Sequence, residues 1–333
     1  MRDVARVAGV SQTTVSFVIN DVPDSHIPQA TRERVWAAVE RLGYRPNAIA
    51  RGLRRDATDT IGFVSDEVAT TPFSGRMILG AQDAAWERGK LLLLVNTAGD
   101  PAVESRGLAT LVDRRVDGIV YASMCHRLVE PGRQLREVPA VLLDAEAADA
   151  SLPSVVPDEE SAAFGATSVM LEAGRRRIAF LNSTDPSPAA SGRLAGYRRA
   201  LQARGLPFDE TLVRSCRAVH GGGYHATRAL LGVDDPPTAL LCFNDQIAIG
   251  AYQALSDSNL RVPRDTAVVS FDDHELIAPC LRPALSTVAL PHYEMGRWAV
   301  EHLLELIEGS MPDGDAPVVQ HRMRCRYVAR ESV

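Results

Sequence analysis

From Thr60 onward this 333-residue chain alternates short, continuous apolar runs with longer amphipathic stretches, and it does so twice. The first series of runs is Ile61–Val64, Leu91–Val95, Gly118–Tyr121 and Ala140–Leu143; the second is Ile178–Leu181, Leu212–Val213, Ala239–Phe243 and Ala267–Phe271. Segments near 75–88, 102–114 and 127–136 separate the first four and read as helices. A strand that is apolar on both faces must be covered on both faces, and helices between strands make the pairing parallel. Two such series predict two similar α/β lobes. Ligands of such sheets sit outside the carboxyl ends of the strands, so two facing lobes predict a cleft there.

The length exceeds one ordinary core, in keeping with several folding units. No apolar run approaches the roughly 20 residues that span a bilayer, and no basic-then-apolar leader opens the chain, so a cytoplasmic protein without membrane contact is expected. Cys125, Cys216, Cys242, Cys280 and Cys325 are odd in number and never in C-x-x-C spacing, which predicts reduced thiols. The eight histidines are scattered, and neither G-x-S-x-G nor H-E-x-x-H occurs. No catalytic residue, cofactor or metal is expected. Gly221-Gly222-Gly223 lacks phosphate-loop spacing and reads as a turn before a helix at Tyr224.

The N-terminal residues have a different texture. Asp3 through Ile19 form two short periodic segments broken by Gly9, the second opening on Ser11, which reads as helix, tight turn, helix. Val4, Val7, Ala8, Val15 and Val18 are expected inside, with Gln12, Thr13, Ser16 and Phe17 outside. Short polar side chains near a helix N-terminus can enter a DNA major groove. A third helix over Thr31–Arg41 ends at Gly43, and Pro46 opens a short fourth segment through Leu53 that is too short to be helical alone. Residues 1–55 hold nine Arg against five acidic residues, net +4, while the remainder carries net −10. A basic head on an acidic body suits contact with phosphates at one end only.

Polar residues terminate the apolar runs: Asp66, Asp144, Asn244-Asp245 and Asp272-Asp273, with Arg193 opening a further helix. Carboxylates, an amide and a guanidinium converging on one cleft complement a polyhydroxylated ligand. Taken singly, each Asp or Asn is also a ready helix cap, Asn244 most of all. Phe73 can stack on a sugar ring or belong to the core.

These residues resemble the lactose-repressor (LacI/GalR) family of bacterial transcription regulators. Asp3 through Asn20 match D-V-A-x-x-A-G-V-S-x-x-T-V-S-x-V-x-N, Thr31 through Val35 match T-R-x-x-V, and Leu42 through Leu53 match L-G-Y-x-P-N-x-x-A-R-x-L. Arg193 through Tyr197, Asn244-Asp245 and Phe271 through Asp273 match the effector-pocket motifs, and Arg282 through Val288, Pro291 and Met295-Gly296 match the segment crossing between lobes. The resemblance implies a small all-α helix-turn-helix head and a two-lobed, periplasmic-binding-protein-like α/β effector domain with parallel sheets. It divides the chain into a DNA-binding domain at 1–44, a hinge helix and linker at 45–58 and an effector and dimerisation domain at 59–333. The N-lobe is then about 59–157 plus 290–320, and the C-lobe about 158–289 plus 321–333.

By the same resemblance, Gln12, Thr13 and Phe17 read bases, Thr14, Ser16 and Asn20 hold phosphates, and Ser11, His26, Asn47, Ala50 and Arg51 complete the DNA-binding set. Leu53 is the wedge that enters the minor groove. Asp66, Phe73, Asp144, Arg193, Asn244 and Asp272 are the effector set. Phe17 stands where the family often has an arginine for guanine, so a different base is expected there. Only Met1 and Arg2 precede Asp3, which implies fewer phosphate contacts, and without leucine heptads after Val333 a homodimer is expected. The implied function is a repressor whose affinity for a pseudo-palindromic double-stranded operator responds to a small molecule, a carbohydrate in most of the family. The alternative, a solute-binding protein of the same fold, predicts a leader and no basic head.

Overall fold

The computed structural model describes residues 1–22, 25–44, 57–71, 74–309 and 317–333. The expected hinge residues Asn47, Ala50, Arg51 and Leu53, and the aromatic Phe73, lie outside the described residues. The chain divides into two compact units, Met1–Asp59 and Thr60–Val333.

In the first unit, helices α1 (Arg2–Ala8), α2 (Gln12–Ile19) and α3 (Gln29–Leu42) enclose Val4, Ala8, Val15, Val18, Val35 and Ala38. Gly9 ends α1 at φ 65°, where a side chain would be strained, and Val10 N–H returns to Ala5 O at 3.0 Å. Ser11 then caps α2 by accepting from Thr14 N at 3.1 Å. Two expectations fail on this helix pair. Val7 is 42% exposed, because it stands roughly 100° around α1 from the face that Val4, Ala5 and Ala8 bury. Ser16 is buried, and its O and Oγ accept from Asn20 Nδ2 at 2.7 and 3.2 Å.

The second unit holds two six-stranded sheets. The first is built from β1 (Thr60–Ser65), β2 (Leu91–Asn96), β3 (Gly118–Val129), β4 (Ala140–Ala147), β5 (Ser154–Pro157) and β11 (Gln320–Met323), in the order β11-β5-β4-β3-β1-β2. The second comprises β6 (Ile178–Ser183), β7 (Val213–Cys216), β8 (Ala239–Cys242), β9 (Ala267–Asp272), β10 (Ser286–Ala289) and β12 (Arg326–Val328), in the order β12-β10-β9-β8-β6-β7. Every pairing is parallel except β10 with β12. The 2-1-3-4-5 strand order thus occurs twice, and each series ends in a strand brought by the C-terminal segment. Helices α4 (Gly75–Glu87), α5 (Pro101–Asp113) and α6 (Arg133–Arg136) connect the first series; α7 (Glu159–Glu172), α8 (Pro188–Ala203), α9 (His220–Leu231) and α10 (Asp245–Asp257) serve the second. Helix α11 (His292–Ile307) returns to pack on the first lobe with Met295, Ala299 and Leu303.

The chain passes between sheets after β5, after β10 and after β11. The last passage falls beyond Met323, not after 320, because Gln320–Met323 pairs with Ser154–Pro157. Residues 127–129, expected in a helix, instead prolong β3 and pair with Ala145–Ala147 after a register shift. Strand β2 lies at a sheet edge, so Leu91 and Leu94 are 58% and 41% exposed despite an apolar run. Gly221–Gly223 is no turn but the first turns of α9, where small size lets helices meet: a Cβ on Gly223 would lie 2.1 Å from Ile247 O of α10. The same device joins α7 to α8, since a Cβ on Gly196 would lie 2.1 Å from Glu160 O. Among the described residues no helix is long and apolar enough to cross a membrane.

Gly196→Ala therefore forces α7 and α8 apart. Urea denaturation should show a loss of about 1–3 kcal/mol, the usual range for overpacking a tight contact.

Candidate functional site

The carboxyl ends of β3, β4, β6, β8 and β9 face a cavity of about 360 Å³ between the two sheets, lined in part by His126, Asp144, Ser183, Phe243 and Asp272. At its centre is Arg193 on α8, only 3% exposed. Its Nε donates to Glu159 Oε2 at 2.7 Å, Nη2 to Glu159 Oε1 at 3.1 Å, and Nη1 to Phe243 O. The guanidinium lies between the rings of Phe243 and Phe271, at 4.4 and 4.2 Å from their centroids. Planarity permits all of this at once: a fork for the carboxylate and two faces for the rings.

Asp144 ends the central part of β4 at φ 54° and is 2% exposed. Its Oδ1 is buried without a hydrogen bond among the described residues. Burial first, and then the Glu159 charge, push its carboxyl well above the usual range. Asp272, at φ 107°, is raised in the same way by burial and by Asp245. Both are backbone conformations that a non-glycine residue adopts only when its surroundings enforce them. Asp245 lies beneath, accepting from Thr287 Oγ1 at 3.0 Å, His274 N at 2.7 Å and Ser270 Oγ, and burial pushes it up to about 6. Asn244 caps α10 by accepting from Ile247 N at 2.9 Å, and its Nδ2 donates to Ala218 O at 3.1 Å. It lines the cavity and caps a helix together, so the two roles foreseen for it coexist.

Four of the six residues expected in this site, Asp144, Arg193, Asn244 and Asp272, line the one cavity. Asp66 does not. It is spent within the first lobe, accepting from Met124 N at 2.9 Å and from Arg127 Nη2 at 2.6 Å. Sequence reasoning missed Glu159, His126, Asp185 and Gln246, all of which line the cavity. Glu159 opens α7 after Asp158, and an acidic first turn is so common at helix N-termini that nothing local marks it. His126 lies in the unforeseen half of β3, with Nε2 2.7 Å from Glu146 Oε2. The carboxyls accept, the amides of Asn244 and Gln246 add donors and acceptors, and the rings offer apolar faces. The set fits a compact ligand rich in hydroxyls.

The first unit presents a second candidate surface. Gln12, Thr13 and Phe17 are exposed on α2, while Ser11 and Thr14 engage each other, Oγ to Oγ1, at 2.9 Å. Asn20 is half-buried against Ser16, and His26 is exposed at φ 46°. Arg2, Arg6, Arg34 and Arg41 are exposed on the same unit.

Residues 1–47 match the family described as bacterial regulatory proteins, lacI family, and residues 167–333 match the periplasmic binding protein-like domain. The ribose operon repressor of Escherichia coli (strain K12) is 36% identical over 311 residues, 92% of either chain. The structure of the lac repressor dimer bound to operator and the anti-inducer ONPF is similar at a TM-score of 0.81 and 27% identity, over 99% of this chain and 97% of that one. A complex of the transcriptional regulator CelR with cellobiose gives a TM-score of 0.72 at 31% identity, over 99% and 98%.

The raised carboxyls make a pH prediction. A folded-state pKa above the unfolded value means that the folded protein holds the extra proton, so stability is greatest below the unfolded pKa and falls as pH rises through the folded one. Replacing Asp144 by Asn removes that cost. Thermal melts of unliganded protein should show Asp144→Asn more stable than wild type at pH 8, by about 1–3 kcal/mol, and level with it near pH 4.

Proposed function

Because this chain belongs to the lacI family of bacterial regulatory proteins, we propose that it is a transcriptional repressor acting in the cytoplasm, with its hold on operator DNA set by a carbohydrate bound between its lobes. The family is made of regulators, not enzymes. One observation carries the effector reading: Arg193, Asn244, Asp144 and Asp272, from four separate segments, meet at one hydroxyl-compatible cavity. Relatives that carry a ribose operon or cellobiose in their names support a sugar over other small molecules.

In this reading Gln12, Thr13 and Phe17 contact base edges, while Ser11, Thr14, Ser16, Asn20 and His26 position the head on the phosphate backbone. Ser16 is buried through its side chain, so its contribution runs through the position of Asn20. Asn47, Ala50, Arg51 and Leu53 act at the minor groove, Leu53 as the wedge between base pairs. A homodimer supplies two such heads, and two-fold protein symmetry calls for a pseudo-palindromic site. The effector links the lobes, since Asp144 on β4 and Arg193 on α8 reach it from different lobes. Any change in lobe closure then alters the segments leading to the heads, with a coupling of about 1–3 kcal/mol.

A thermal-shift screen of pentoses, hexoses and disaccharides tests the effector class: a ligand at 100 times its dissociation constant stabilises by about 2.7 kcal/mol. Removing Arg193 alone would strand Glu159, so the paired change Arg193→Met with Glu159→Gln is the sharper variant. It should abolish the sugar shift and leave DNA affinity in the absence of sugar within twofold. A full sugar shift in the paired variant rejects this cavity as the effector site. At the other end, Phe17→Arg should move the preferred base toward guanine by about 1–3 kcal/mol in competition binding, whereas an unchanged preference removes Phe17 from base reading.

A further inference from the structure

Asp272 reaches the effector cavity from a stretch of backbone that needs support from elsewhere. It and Asp273 stand side by side in the chain at φ 107° and 56°, left-handed conformations that residues with side chains keep only where surrounding groups enforce them. One support is Asp245, whose Oδ2 accepts from His274 N at 2.7 Å. The other comes from fifty-seven residues further along the chain, where Arg330 Nη2 donates to Asp273 Oδ1 at 2.6 Å. Arg330 does not line the cavity. It is itself held firmly: Nη1 donates to Leu285 O and the backbone N–H to Ser286 Oγ, both at 2.9 Å. Ser332, two residues on and fully buried, accepts from Ser286 N at 2.7 Å and donates to Val268 O at 2.6 Å through one hydroxyl. Its carbonyl accepts from Val268 N at 2.8 Å. Residues 330–332 are thus sewn onto β9 and the entry of β10, which gives the guanidinium a fixed base.

We propose that Arg330 is a positioning residue for the effector cavity: by fixing Asp273 it sets the direction in which the Asp272 carboxyl meets a bound sugar. The proposal rests on the carbohydrate reading of that cavity. A planar guanidinium suits the task, because one nitrogen takes the carboxylate while another takes a carbonyl, and the rigid group fixes the spacing between them. A lysine ammonium has one nitrogen and cannot hold both ends in this way. Asp245 restrains only His274, the residue after the left-handed pair, so without Arg330 the pair relaxes toward ordinary backbone and Asp272 turns with it. A polar group that is oriented beforehand adds no ordering cost when ligand arrives, so loss of that orientation is read as lost affinity.

The test is calorimetric titration of the full chain with D-ribose, D-glucose, D-galactose and cellobiose, at a temperature where circular dichroism shows every variant folded. Arg330→Met should weaken the sugar that the wild type binds by at least about tenfold, and Arg330→Lys by less, since it keeps the pair with Asp273 but not the bond to Leu285 O. Ser332→Ala is the control for plain stability. It removes a buried hydroxyl from the same segment without touching Asp273, so it should lower the melting temperature and leave sugar affinity within about twofold. The double variant Arg330→Met, Asp273→Asn removes the stranded carboxylate and should stay as weak as the single variant, because the turn is still untied. Undiminished affinity in Arg330→Met overturns the proposal. Recovery in the double variant also overturns it, by reducing Arg330 to a counter-charge, and so do equal losses in Arg330→Met and Ser332→Ala, by reducing it to stability. Wild-type protein that binds none of these sugars takes away the carbohydrate reading and the proposal with it, so the two failures are told apart.

Discussion

The ion pair between Arg193 and Glu159 is the interaction on which the effector domain's site depends. Burying two opposite charges is costly, and breaking such a pair by removing one partner costs about 3–5 kcal/mol. Here the cost is offset because all three guanidinium nitrogens donate, two to the carboxylate and one to a carbonyl, and both faces are covered by rings. The pair is brought together where α7 and α8 pack closely, at Gly192 opposite Glu159 Cβ and at Gly196 opposite Glu160 O. Since Glu159 is the first helical residue after the passage from β5, the pair also anchors the point where the chain enters the second lobe.

Its charges set the chemistry around it. Burial is the largest influence raising the Asp144 carboxyl, Glu159 adds to it and Arg193 opposes it, while burial and Asp245 raise Asp272. Asp245, bound from three sides, holds the backbone that carries Asp272. A cavity of this kind has its polar groups oriented before any ligand arrives, which lowers the ordering cost of binding. The two lobes meet it through different residues, so its contents and the angle between the lobes are one problem.

Much of this was legible in the residues. The apolar runs predicted the first four strands of each sheet, because a strand buried on both faces leaves a local, continuous signal. The helix-turn-helix was equally local: Gly9, Ser11 and the spacing of Val15 and Val18 suffice. Strands β5, β10, β11 and β12 were not foreseen, since they are three or four residues long and held mainly by pairing with neighbouring strands in the sheets. Gly221–Gly223 misled for a related reason: three glycines suggest a turn, and only the approach of α10 shows why a helix tolerates them. Asp66 looked like Asp144 at the end of a run, yet Arg127, sixty-one residues away, occupies it.

The sequence by itself determined most helices, the longer strands and which polar residues end them, because periodicity, caps and turns act within a few residues. It also placed Gln12, Thr13 and Phe17 together on the exposed side of one short helix. Only the tertiary structure decided which strand-end residues meet. Whether a carboxylate lines a cavity, caps a helix or answers an arginine depends on partners far along the chain, and no local pattern encodes those distances. Glu159 is the clearest case: an ordinary first-turn acid in the sequence, it becomes the counter-charge of the site through packing between two helices.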